Sequence, residues 1–158
     1  MSPLESQSDS ASSARSAAPA VEVVTSFIEA WNAKNFGALA ALLAPQLSGY
    51  SPLAGGQMMV AAKELVVGGI ERAMAVFRDL HWEVEGVISG GDGVAVELIE
   101  SATLIRTNTS YAMPFSGVFR VNPAGLITQF HSYWDTGTFF QQLDVSPETF
   151  GQILALPD

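Results

Sequence analysis

The spacing of apolar residues changes near Asp79, and that change restricts the fold more than any other feature. Upstream the apolar positions step by three or four, and downstream they alternate. Val21, Val24, Ile28 and Trp31 recur at helical intervals with Glu22, Thr25, Glu29 and Asn32 between them, which predicts an amphipathic helix over residues 19–33 opened by Pro19. Asn35 is the candidate N-cap of a second helix running through Leu39, Leu42 and Leu43 until Pro45 stops it. Gly49, Pro52, Gly55 and Gly56 mark residues 48–56 as a turn-rich loop. Ala62, Val66, Ile70, Ala73, Met74 and Phe77 then predict a third helix over residues 57–78, weakened in its middle by Gly68 and Gly69.

Beyond Asp79, residues 81–88, 93–106, 110–121 and 126–134 read as strands, with hairpin turns at 90–93 and 122–125 and a third connection at 107–109. A short helix is expected over residues 136–143 and a further one after Pro147. Helices first and an antiparallel meander afterwards define an α+β class, with helices covering one face of the sheet.

At 158 residues and 48% hydrophobic content, the chain has material for one well-filled core and not for two, so residues 19–158 are read as a single domain. Residues 1–18, rich in Ser and Ala, bury too little to offset their ordering entropy and are expected to be a flexible tail. Sixteen acidic against seven scattered basic residues give a net charge of −9, which argues against nucleic acid as a partner. The absence of cysteine excludes disulfides, thiolate ligands and cysteine nucleophiles. His81 and His131, the only histidines, lack the spacing of a metal site, so no metal is expected. No apolar run approaches a membrane span, and the N-terminus lacks the compact apolar segment of a secretion signal; the cytoplasm is the expected compartment.

One carboxylate interrupts an apolar strand face. Val94, Val96, Leu98, Glu100, Ala102 and Leu104 share one side of a strand by alternation, and an ionised carboxylate there is costly without partners or a wet cavity. Glu100 is therefore read as a pocket acid, the alternative being a rim residue that reaches solvent or pairs with Arg106. On residues 110–121 the odd positions Tyr111, Met113, Phe115, Phe119 and Val121 are the core face. The last strand is ambiguous, since Phe130, Ser132 and Trp134 occupy one face and His131 and Tyr133 the other. The even residues are the better core formers, which makes Trp134 a cavity wall and His131 surface; facing inward, His131 would be a proton carrier.

Trp31-Asn32-Ala33-Lys34-Asn35-Phe36 followed by Leu39, Leu42, Leu43, Ala44 and Pro45 resembles the first helical hairpin of the nuclear transport factor 2-like (NTF2-like) and ketosteroid isomerase-like superfamily. Phe77-Arg78-Asp79-Leu80, Gly125-Leu126-Ile127 and Tyr133-Trp134-Asp135 before Gln141-Gln142-Leu143 are similar to its SnoaL-like polyketide cyclase branch. The resemblance implies a cone in which a curved antiparallel sheet wraps around N-terminal helices and encloses an apolar cavity, and it implies homodimers formed through the outer sheet face. The tyrosine and two aspartates of the steroid isomerases fall on Phe27, Ser51 and Gly117, and the Asp-Arg-Asp set of limonene epoxide hydrolase-like members falls near Glu100, Leu98 and Ser132. The acid at the end of the last strand in SnoaL-like cyclases matches Asp135.

These readings converge on one site. Glu100 is the candidate base, with Asp135 or Tyr50 as donor and His131 as a proton carrier should it face inward, although Asp135 has an equally good use as the cap of the helix after it. Trp31, Ser51, Met113, Phe115, Phe130, Ser132 and Trp134 are the candidate substrate contacts. The expected chemistry is isomerisation, cyclisation or epoxide opening on an apolar small molecule, without metal or organic cofactor. The competing reading is a non-catalytic module that binds a hydrophobic ligand or only dimerises.

Overall fold

The computed structural model describes residues 19–53 and 56–156; the tail expected over residues 1–18 lies outside them. Helix α1 (Ala20–Asn32) buries Val24, Phe27, Ile28 and Trp31 along one stripe, and α2 (Phe36–Leu42) is capped by the Asn35 side chain, which accepts from the Ala38 amide at 3.0 Å. Six strands follow in one sheet: β1 (Leu43–Tyr50), β2 (Met59–Ala62), β3 (Phe77–Gly90), β4 (Gly93–Leu104), β5 (Thr109–Val121) and β6 (Ile127–Trp134). Their spatial order is β2-β1-β6-β5-β4-β3. Helix α3 (Lys63–Ala75) lies between β2 and β3 in the chain, and α4 (Thr136–Leu143) and α5 (Pro147–Ala155) complete it.

The strand meander from β3 to β6 is antiparallel, as its hairpin turns require. Gly91 and Gly125 hold the positive φ values, 58° and 80°, that these turns need. Two elements depart from the sequence reading. The segment after α2 is a strand rather than a helix end and loop, and residues 59–62 pair with it instead of opening α3. Because β1 runs parallel to β6, the sheet is mixed and not wholly antiparallel. Pro45 is tolerated inside β1 because the β1–β6 register shifts between Leu43 and Ser48, so no ladder bond is asked of it there. At the other end of α3, Asp79 takes a φ of 58° and the β3–β4 register slips between Arg78 and His81; β3 nevertheless begins at Phe77.

The core lies between α1 and the inner sheet face. Phe27 is fully buried and packs its ring 5.4 Å from both Phe119 and Phe130, while those two rings stack at 4.8 Å. Each such burial contributes about 1.5–3 kcal/mol. Gly117 makes that stack possible: a Cβ there would stand 2.9 Å from the Phe119 ring.

Candidate active site

An apolar hollow of about 560 Å³ opens inside the curve of the sheet. Its wall includes Trp31 from α1, Phe115 from β5, Phe130, Ser132 and Trp134 from β6, and Val66, Gly69 and Ile70 from α3. The size suits a drug-sized organic molecule. The even face of β6 therefore points inward, as its side chains favour.

Glu100 is in this wall, the only carboxylate among the described residues that line it. It is half-buried there. Its two oxygens have separate donors: the Trp82 indole Nε1–H reaches Oε2 at 2.6 Å and the Tyr111 hydroxyl reaches Oε1 at 2.6 Å. Burial raises the Glu100 pKa above the ordinary 4.5, and the bonds from Tyr111 and Trp82 oppose that shift without cancelling it. Burial, the nearby Glu100 charge and the hydrogen bond to it together push the Tyr111 phenol up, so it remains a proton donor.

Strand register explains these partners. Tyr111 is buried on the inward face of β5, where Ala102 is its direct opposite on β4, and Glu100 is its diagonal neighbour. Trp82 stands directly across from Glu100 on β3. Asn32, the last residue of α1, fixes that edge strand: its side chain donates to the Trp82 carbonyl at 3.0 Å and accepts from the Trp82 amide at 2.8 Å. The Trp82 ring is then stacked on Trp31, centroids 3.9 Å apart. Sequence reading passed over Trp82 and Asn32 and placed Tyr111 only in the core.

The other candidates are distributed unevenly. Trp31, Ser51, Phe115, Phe130, Ser132 and Trp134 all line the hollow with Glu100. Met113 is buried beside Glu100 and does not line the hollow. Tyr50 borders the hollow, yet its ring stacks on Tyr133 at 5.2 Å and its carbonyl accepts from Ser132 Oγ at 3.0 Å, so the phenol belongs to the outer-face cluster. His131 lies in register with Tyr50 on that outer face, and its Nε2 is 2.8 Å from Ser48 Oγ. Burial lowers its pKa. Asp135 is exposed and caps α4 through the Gly137 and Thr138 amides at 2.8 and 3.2 Å; the Thr138 hydroxyl and these amides hold its carboxyl below the usual range. Neither His131 nor Asp135 is brought to Glu100.

The family described as the SnoaL-like domain matches residues 24–130. The chain belongs to the SnoaL-like family. Solved structures share its fold. A hypothetical protein with a ketosteroid isomerase-like fold from Catenulispora acidiphila, solved in complex with trimethylamine, is 23% identical over 80% of this chain and 95% of its own, with a TM-score of 0.71. IdmH, a putative polyketide cyclase from Streptomyces antibioticus, is 22% identical over 81% and 100% with a TM-score of 0.70. An LEH-like epoxide hydrolase from M. tuberculosis is 20% identical over 79% and 89% with a TM-score of 0.66. At these identities the likeness establishes the NTF2-like, α+β fold. No curated protein matches the sequence. Among the described residues no helix is long and apolar enough to cross a membrane.

Proposed function

We propose that the hollow is the active site of a small-molecule enzyme in which Glu100 moves a proton on an apolar substrate, in an isomerisation, a cyclisation or the opening of an epoxide. The observation that carries this reading is a carboxyl group in the wall of an apolar cavity, each oxygen held by one donor and, among the described residues, neither paired with a cation. An apolar wall lifts the carboxyl toward neutrality, which suits a group that must take a proton and give it back. The bonds from Trp82 and Tyr111 keep the anion accessible and aim it. In an isomerisation, Glu100 accepts a proton from carbon beside a carbonyl and returns it to another carbon. The developing oxyanion needs a donor; Ser51 in the wall accepts from the Leu53 amide at 3.3 Å, and its hydroxyl has a proton to donate. Polyketide cyclase and epoxide hydrolase names among the structural relatives agree with proton chemistry of this kind.

The reading of the fold as a hydrophobic-ligand carrier has one observation in its favour: among the described residues no second carboxylate or histidine shares the lining with Glu100. A single substitution separates the two. Glu100→Gln is tested with the wild type on a panel of enones and epoxides. The enzyme reading expects turnover that falls by about 100-fold or more in the variant. A wild type that turns over nothing, or a variant with the full rate, leaves the carrier.

A further inference from the structure

Among the described residues that line the hollow, one carries a cation. Arg72, near the end of α3, is exposed and borders the hollow. Among the described residues the ion pairs join Arg78 to Asp79 and Arg120 to Asp92, and Arg72 takes part in neither. Every other lining group is apolar or neutral apart from Glu100. In a chain of net charge −9, a cation without a carboxylate partner beside an apolar hollow is a conspicuous choice.

The helix beside it is bare. Side chains on a helix lean toward its N-terminus, and Gly68 and Gly69 are the positions one turn before Arg72. Neither glycine has a positive φ, and a Cβ at either would meet nothing within 4 Å. Backbone conformation and packing thus give no reason for glycine at two interior positions, where each costs the helix about 1 kcal/mol relative to Ala. The gap they leave adjoins the hollow, with Gly69 itself in the wall.

We propose that Arg72 receives the carboxylate of an amphipathic substrate whose apolar body fills the hollow toward Glu100. The proposal rests on the reading of the hollow as a substrate site and names the substrate class. A guanidinium offers two parallel N–H donors to a carboxylate, and the open surface over Gly68 and Gly69 gives that group room to lie flat. A purely structural use of Arg72, complementing the negative end of the α3 dipole, would give no preference among ligands.

The test is calorimetric titration of the full chain with decanoate, decanol and decyltrimethylammonium, which share one tail length and differ in head charge. Decanoate is expected to bind at least about fivefold tighter than decanol, a preference that shrinks as salt is added. Arg72→Gln is expected to bring decanoate to parity while leaving decanol affinity and the melting temperature unchanged. Equal affinities in the wild type, a preference that survives in Arg72→Gln, tightest binding of the ammonium, or no binding of any probe would each overturn the proposal. Failure of the Glu100 chemistry reads out separately, as undiminished turnover in Glu100→Gln.

Discussion

The inner and outer faces of the sheet each hold a desolvated titratable side chain, and the two respond to pH in opposite senses. Inside, Glu100 faces a hollow and is held by two donors from flanking strands. Outside, His131 is covered by its neighbours and meets a single hydroxyl, Ser48 Oγ. Burial favours the neutral form of both, raising the pKa of the acid and lowering that of the base. Only the acid has an arrangement that keeps its charged form within reach. The stability that Glu100 contributes is present below its ordinary 4.5 and is lost as pH rises through its raised value; that of His131 is present above its ordinary 6.5 and is lost as pH falls through its lowered value. A buried ionisable group is thus a better candidate for chemistry when the fold supplies donors to its charged state and leaves one side open.

The largest effect expected from breaking this contrast is on turnover, where Glu100→Gln removes the proton acceptor and lowers the rate by about 100-fold or more. Tyr111→Phe comes next. It removes one of two donors to a carboxylate, so the pH–rate midpoint should move upward and the protein lose about 1.5–3 kcal/mol above that midpoint, measured by denaturant unfolding at several pH values. Asn32→Ala frees the Trp82 amide and carbonyl from their side-chain partner, with an expected cost of about 1–2 kcal/mol and a change in Trp82 fluorescence as the indole loses its fixed position over Trp31. The smallest change is expected from His131→Asn, which should flatten the fall in stability below pH 6.5 and leave the high-pH limb untouched.

Much of this contrast is legible in the sequence, and the exceptions have a common cause. Alternation along Val94–Leu104 puts Glu100 on an apolar face without reference to any other segment, and the bulk of Phe130 and Trp134 decides which side of β6 turns inward. The partners of Glu100 depend on register. Extending the Gly90–Gly93 pairing without interruption would set Glu83 opposite Glu100, but a one-residue shift between Val84 and Gly86 brings Trp82 there instead. No local pattern announces that bulge. The hairpin closed by Leu104 and Thr109, by contrast, runs unbroken, so Tyr111 as the diagonal neighbour of Glu100 follows from counting. The strands β1 and β2 escaped notice because β1 takes its partners from β6 and from β2, distant or short segments, and because Met59-Val60-Ala61-Ala62 continues the apolar spacing of the helix that follows. Cap geometry uses the Asp135 carboxylate at the start of α4, and the Tyr50 ring stacks on Tyr133 while Tyr50 still borders the hollow.

The claim on which the rest depends is that Glu100 is an ionisable carboxyl group in an apolar hollow, held by Trp82 and Tyr111. Carbon-detected NMR of the glutamate side chains across a pH titration, with Glu100→Gln to assign the signal, measures it directly. The expected result is one carboxyl that titrates clearly above 4.5 and moves further upward in Tyr111→Phe. A Glu100 signal that titrates at or below 4.5, and does so equally in both proteins, would contradict the account.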